Sequence, residues 1–405
     1  MSLAGYAVKG WCPGIARPMP SGDGLIVRVR PRCGALSLAT VKALADLAER
    51  LGNGHVDLTR RANLQLRGLT EDALPELQVS LAELGLLDPD SETEAVRNVM
   101  VAPLAGLDPD QPFDIRPIAA AIYDALLSDV RLHALPSKFG ILVDGGGRIS
   151  IASERADICL AAIGDLVAFG LDRSDGTHWL GAIAPHRAAA TAIAAAHAFL
   201  KGGAWGRMRD LSDSAFAQVQ RALVLSPIAR APTPGRHKLG VLDKVAGIAA
   251  PFGRLDAGQL GRLADLAADA GIAELRLSPW RAFYAGARDE DAARALVSGA
   301  RRLGLIVDGN DPLLQVEACP GAPDCASSSV DARGDARRVA AIATARDFRG
   351  SIHVSGCAKG CARSLASDLV LVGAAGAYGV VRHGTSRDPA TRVVGSHELE
   401  ALFDG

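Results

Sequence analysis

The chain carries its own plan twice, and that duplication limits its fold more than any single motif. Leu44-Ala-Asp-Leu-Ala-Glu-Arg-Leu-Gly52 returns 219 residues later as Leu263-Ala-Asp-Leu-Ala-Ala-Asp-Ala-Gly271. A spacing this long duplicates a whole folding unit, not the turn of a solenoid. Each helix-like copy is followed by a strand-like run, 55–68 or 273–286, and by a second helix ending in Leu84-Gly-Leu-Leu-Asp88 or Leu303-Gly-Leu-Ile-Val-Asp308. A strand candidate precedes each, over 24–32 and 245–251. Both copies therefore read strand, helix, strands, helix, a small α+β unit. A second repeat is interleaved with the first. Asp157-Ile-Cys-Leu is echoed 211 residues later by Asp368-Leu-Val-Leu, and Phe139-Gly-Ile-Leu-Val-Asp144 parallels Ser351-Ile-His-Val-Ser355. The order is A–B–A′–B′, with domains expected at 1–90, 91–225, 236–310 and 311–405 and a proline-bearing linker at 226–235. Such a duplication implies a pseudo-twofold arrangement with a ligand between the halves.

Composition narrows the function classes. With 405 residues, 49% of them hydrophobic, the chain has ample core and is not a disordered or fibrous protein. Lys plus Arg number 44 and Asp plus Glu 45, so no protein-wide basic field attracts nucleic acid, and aromatic stacking residues are only 4%. The apolar run 187–200 is short and interrupted by His197, and Met1–Gly10 lacks the apolar core of a secretory leader. The expectation is a soluble cytoplasmic protein that engages neither membrane nor nucleic acid.

Four of the seven cysteines fall in two close pairs, Cys319-Pro-Gly-Ala-Pro-Asp-Cys325 and Cys357-Ala-Lys-Gly-Cys361. Structural zinc sites usually space their cysteines by two to four residues, and the five between Cys319 and Cys325 are too many. Two soft thiolate pairs suit an iron–sulfur cluster, and the spacing predicts a [4Fe-4S] cluster on Cys319, Cys325, Cys357 and Cys361. Gly321, Gly356 and Gly360 let the backbone wrap such a group and offer N–H donors to its sulfurs. Cys159 and Cys33 read as structural.

The cationic residues cluster locally. Over Leu58–Gly68 the alternation predicts a strand with Thr59, Arg61, Asn63, Gln65 and Arg67 on one face, and Arg28, Arg30 and Arg32 fall in phase along the preceding strand. Two arginine-bearing strands in one unit favour a surface that pairs with carboxylates. Arg97, in Arg97-Asn-Val, and Lys138, in Leu135-Pro-Ser-Lys-Phe, add two more cations.

Taken together, Thr59-Arg-Arg-Ala-Asn-Leu-Gln-Leu66, Arg97-Asn-Val99, Leu135-Pro-Ser-Lys-Phe139 and the cysteine pairs resemble, in order, the motifs of the sulfite and nitrite reductase superfamily. The match spans nearly the whole chain. It implies two ferredoxin-like half-domains and two α/β domains of the iron–sulfur and sirohaem type. Met19-Pro-Ser-Gly-Asp-Gly-Leu25 and His353-Val-Ser-Gly-Cys-Ala-Lys-Gly-Cys361, with Cys12-Pro-Gly14 and the first cysteine loop, resemble more closely the precorrin-3B synthase branch. That branch implies a monooxygenase that uses O2 and NADH-derived electrons to hydroxylate precorrin-3A at a meso carbon, with a γ-lactone closing, in aerobic cobalamin biosynthesis. It also implies an iron–sulfur cluster and a mononuclear non-haem iron, whose ligands cannot be picked from nine scattered histidines, His353 being the nearest to a cluster loop. The resemblance makes Arg61, Asn63, Gln65, Arg97 and Lys138 the clamp for a tetrapyrrole's carboxylates. Lys359, where many reductases have asparagine, could join them. The sulfite-reducing type has a second lysine two residues after the first; Gly140 stands there and argues against anion reduction. A sirohaem-dependent nitrite or sulfite reductase is the alternative. No Gly-x-Gly-x-x-Gly fingerprint follows a strand, so NADH electrons are expected through a partner reductase.

Overall fold

The computed structural model describes residues 11–203, 206–233, 235 and 238–403. The reading of Met1–Gly10 therefore lies outside the described residues. The first repeat unit supplies β1 (Met19–Ser21), β2 (Gly24–Val29), β3 (Ala35–Ser37), β4 (His55–Leu58) and β5 (Leu64–Leu69). Next come β6 (Val99–Val101), β7 (Ile141–Asp144), β8 (Ile158–Ile163), β9 (Leu166–Arg173) and β10 (Gly176–Ile183). The second copy supplies β11 (Gly240–Leu242), β12 (Val245–Ala249), β13 (Arg254–Asp256), β14 (Glu274–Leu277) and β15 (Ala282–Gly286). It closes with β16 (Val316–Ala318), β17 (Ile352–Ser355), β18 (Ser367–Ala374), β19 (Ala377–Gly384) and β20 (Arg392–Gly395).

These strands form four five-stranded sheets, in matched pairs: β1-β2-β5-β4-β13 with β11-β12-β15-β14-β3, and β10-β9-β8-β7-β6 with β20-β19-β18-β17-β16. The halves are not independent. β13 lies antiparallel beside β4, with Leu255 opposite Val56, and β3 lies beside β14, with Leu36 opposite Leu275. Each half therefore completes the other's sheet, an exchange no local pattern announces. The repeated helices explain how. Leu38–Leu51 is capped by Ser37, whose side chain accepts from the Thr40 amide, and Ala257–Asp269 by Asp256, which accepts from the Gln259 amide. The two helices pack together where small residues allow close approach: a Cβ added at Gly261 would lie 3.9 Å from that of Ala45. Lys42 reaches Asp265 at 2.5 Å across the same seam. Leu44, Leu47, Leu260 and Leu263 fill the buried faces, each fully buried leucine contributing about 1.5–3 kcal/mol.

In the two remaining sheets, β6-β7-β8 and β16-β17-β18 run parallel and the rest antiparallel. Among the described residues, no helix is long and apolar enough to cross a membrane.

One element differs from expectation. The alternating run 58–68 is not a single strand but a hairpin, in which Thr59–Asn63 form the turn between β4 and β5. The Thr59 amide donates to the Asn63 carbonyl at 2.9 Å, and the Thr59 hydroxyl accepts from the Arg61 and Asn63 amides, each at 3.2 Å. Ala62 takes φ +52 to close the loop. The polar alternation remains in β5, where Gln65 and Arg67 share a face, while Arg60 and Arg61 project from the turn.

Candidate functional site

Two adjacent parallel strands, β16 and β17, end side by side, so the loops leaving their carboxyl ends meet there. Those loops carry the two cysteine pairs. The Gly356 amide donates to the Cys319 sulfur at 3.0 Å. Gly321 holds φ +74, and a Cβ on it would come 2.5 Å from the Ala332 nitrogen, so the loop's path excludes a side chain. Burial pushes the Cys319 thiol up, its two amide donors oppose this, and the charges of Cys325 and Cys357 reinforce it. Cys361 is exposed at the loop surface. Its thiol is nonetheless pushed up to about 11 by desolvation, against the pull of Lys359, with Cys319, Cys357 and Cys325 all near enough to act on it.

The four sulfurs thus form one electrostatic group. Yet among the described residues no three His, Cys, Asp or Glu side chains converge on one metal ion's position. A four-iron cluster takes one thiolate per iron and needs the looser arrangement, so this donor set and its glycine cradle fit such a cluster.

The first sheet's polar face lies against this centre. Gly22, in the β1–β2 turn, approaches so closely that a Cβ there would sit 2.8 Å from the Pro323 carbonyl oxygen. Ser21 and Arg67 both donate to the Asp324 carbonyl, at 2.8 and 3.1 Å, inside the first cysteine loop. Asp57 of β4 accepts from Arg254 of β13 at 2.8 and 3.0 Å and from Arg333 at 3.3 Å, with Arg67 at 3.5 Å. Arg254 also pairs with the Asp324 carboxylate, and Arg67 with Asp23 at 2.8 Å. Burial would raise the Asp57 carboxyl, but Arg333, Arg254 and Arg67 outweigh it and hold the group well below the usual carboxylate range.

The Thr59–Asn63 turn lies between the cysteine loops and the connection from β7 to β8, because its arginines diverge. Arg60 bonds Glu317, two residues before Cys319, at 2.7 Å. Arg61 reaches the other way and donates to the Arg155 carbonyl at 3.3 Å, lying beside Gly140, where a Cβ would come 3.3 Å from its Nη1. Desolvation and the charge of Arg207 pull the Arg61 guanidinium below its ordinary value, with Asp157 opposing. Asp157 is already committed to the Gly140 amide at 2.8 Å and to Arg207 at 2.9 Å.

Arg30 is buried and lowered to about 10 by desolvation and then by Arg28; its nearest carboxylate oxygen is Glu94 Oε1, at 3.4 Å. Glu94 also accepts from the Ile15 amide at 2.9 Å, folding Cys12-Pro-Gly14 over this face. The Cys12 sulfur lies close enough to act on both Arg30 and Arg61. Arg28 and Arg61 have no ion pair among the described residues, and Arg28 Nε is buried without a partner.

The other sequence candidates scatter around this centre. Gln65 pairs across the sheet with Arg28 and Asp57. Asn63 is buried at the foot of the turn. Arg97 is buried against Asp88, at 2.5 Å, so its charge is matched within the protein. Lys138 is exposed and has no ion pair among the described residues. Lys359 lies beside Cys361. Cys159 is fully buried, its thiol raised to about 12 by desolvation. His353 faces Glu317 across the β16–β17 register and is fully buried, with neither ring nitrogen partnered among the described residues; desolvation lowers it to about 4, which leaves a neutral ring.

Sequence reasoning missed Asp57, Arg254, Arg333, Glu317, Asp157 and Arg207. Only the interruption of an apolar strand by Asp57 or Glu317 signalled them, and it named no partner.

Residues 17–84 match the profile of the nitrite/sulfite reductase ferredoxin-like half domain, and residues 92–277 that of the nitrite and sulphite reductase 4Fe-4S domain. The second match covers the first α/β sheet and ends before the cysteine pairs. A ferredoxin–nitrite reductase of Synechococcus elongatus is 29% identical over 88% of this chain and 78% of its own length. The NirA protein of Mycobacterium tuberculosis shares the fold, with a TM-score of 0.75 at 21% identity over 94% of this chain and 79% of that one. A precorrin-3B synthase of Sinorhizobium is 36% identical over 93% of this chain and 83% of its length. The chain therefore belongs to the nitrite and sulfite reductase family of oxidoreductases. Within that family it is a homologue of precorrin-3B synthase.

Proposed function

We propose that the chain is a precorrin-3A monooxygenase, and that Arg28 of β2 and Arg61 of the adjoining turn, two cations without a carboxylate partner among the described residues, receive the acid groups of the macrocycle. This pair of unmatched guanidinia carries the reading. Arg61, whose side chain donates to a carbonyl and to no carboxylate among the described residues, gains from a carboxylate partner, and several such contacts orient a flexible polyacid. Gln65 and Asn63 add neutral donors beside them, Lys138 stands at the exposed edge and Lys359 on the cysteine side. Arg97, already neutralised by Asp88, supports the site through packing near Tyr123, 5.9 Å from its ring centre.

Cys319, Cys325, Cys357 and Cys361 are the residues that would hold a [4Fe-4S] cluster, and the chemistry it supplies when bound is one-electron transfer. In the overall reaction one oxygen atom of O2 enters the product and the other leaves as water. NADH supplies the two electrons, through a partner reductase. The chain's own contribution is positioning: a ring acetate held next to the oxidised carbon is poised to close the lactone. A mononuclear iron belongs to the same reading as a separate group. The division into units at 1–90, 91–225, 236–310 and 311–405 is proposed alongside it.

The test is anaerobic incubation with precorrin-3A and reductant, followed by 18O-labelled O2. One labelled oxygen in a lactone product is expected; an unlabelled product, or sirohaem bands in the purified protein with turnover of nitrite or sulfite, overturns the assignment.

A further inference from the structure

The centre contains a second excess of positive charge that the tetrapyrrole reading does not use. Glu317 is the shared partner of three arginines: Arg60 at 2.7 Å, Arg363 at 2.8 Å and Arg281 at 3.9 Å. One carboxylate cannot neutralise three guanidinia, and the neighbouring His353 brings no negative charge. Arg60 and Arg363 take the hydrogen bonds. Arg281 stands beyond hydrogen-bond reach of Glu317, and its own hydrogen bond goes to the Ala362 carbonyl at 3.3 Å. Arg281 and Arg60 line a cavity of about 160 Å³, whose apolar lining includes Phe252, Trp280 and Leu314.

Arg281 is held there by the backbone. It occupies the place in the second repeat that Ala62 occupies in the first, and both lie in the left-handed region, at φ +57 and +52. That conformation is unfavourable for a residue with a side chain, so the surroundings must impose it. Gly253 makes the room: a Cβ there would stand 2.6 Å from the Arg281 Cδ. The second copy thus places a guanidinium where the first has a methyl group.

We propose that this cavity is a binding site for a small oxyanion, either inorganic phosphate or sulfate or the carboxylate of a small organic acid, held by Arg281 and Arg60. Its volume excludes a macrocycle and admits a single tetrahedral or planar anion. Glu317, a lining residue already paired with Arg60 and Arg363, lies two residues from Cys319, and Arg281 anchors the Ala362 carbonyl that follows Cys361. An occupied site therefore stiffens both cysteine segments. The inference is independent of the precorrin reading.

The test is calorimetric titration of the purified holoprotein with sulfate, phosphate and acetate, each against chloride at constant ionic strength. Saturable one-site binding of at least one of them is expected. Sulfate or phosphate alone assigns an inorganic anion, and acetate alone a carboxylate. Arg281→Gly suits the left-handed backbone and so keeps the fold, checked by circular dichroism and unchanged cluster absorbance. It should weaken binding by about tenfold or more, the usual loss for a charged hydrogen bond. Arg60→Gln should weaken it as well, from the other wall. No saturable binding by any of the three anions, or equal affinity in wild type and Arg281→Gly, overturns the proposal.

Discussion

Asp57→Asn is the most exacting test of how the cysteine loop is held. The side chain is 8% exposed, and its partners Arg67, Arg254 and Arg333 are 3%, 14% and 14% exposed, so solvent screens these contacts little. Removing the anion leaves three buried guanidinia facing one another. Breaking a buried pair in this way costs about 3–5 kcal/mol. Arg67 keeps Asp23 and Arg254 keeps Asp324, which places the expectation near the lower end, about 3 kcal/mol. With a urea dependence of about 2–3 kcal/mol per molar, the unfolding midpoint followed by circular dichroism should fall by about 1 M.

The pH dependence has a definite sign. The folded carboxyl is depressed below its unfolded value of about 3.9, so its contribution is complete above about pH 4 and is lost as pH falls towards the folded value. The gap between wild type and variant should therefore be constant near neutrality and narrow below about pH 4. A midpoint shift under about 0.3 M, or a gap that widens in acid, would refute the reasoning.

Other changes probe the remaining contacts. Arg61→Ala should weaken precorrin-3A binding about tenfold to a hundredfold while leaving the cluster absorbance intact; loss of the cluster instead would make Arg61 structural. Gly140→Lys should displace Arg61, since even a Cβ would stand 3.3 Å from its Nη1, and so should raise the dissociation constant for the same ligand in a binding titration. Cys357→Ser should abolish iron and sulfide content on anaerobic purification, whereas full retention would remove Cys357 from the ligand set. Ala62→Gly relieves a left-handed φ of +52 and should leave thermal stability unchanged or raise it slightly, by about 0.5 kcal/mol; a clear loss would mean the turn depends on the methyl group.

Much of this protein was legible in one dimension because repetition and spacing are one-dimensional properties. The duplicated helix at Leu44 and Leu263 and the close spacing of the cysteines need no partner to be recognised. The hairpin at Thr59–Asn63 was misread because alternation continues across a turn as readily as along a strand, and only the Thr59 hydroxyl and the Ala62 backbone break it. The partners were not legible. Asp57 meets Arg254 and Arg333 from 197 and 276 residues away, and β3 and β13 cross to the opposite half. Periodicity reports which face a residue occupies, never what packs against that face. The sequence alone thus determined a duplicated α+β chain with two close cysteine pairs and an arginine-rich strand pair. Tertiary structure decided which arginines are neutralised at home, as Arg97 is by Asp88, and which, as Arg28 and Arg61, lack a carboxylate among the described residues, because burial and long-range pairing set the electrostatic balance of each cation.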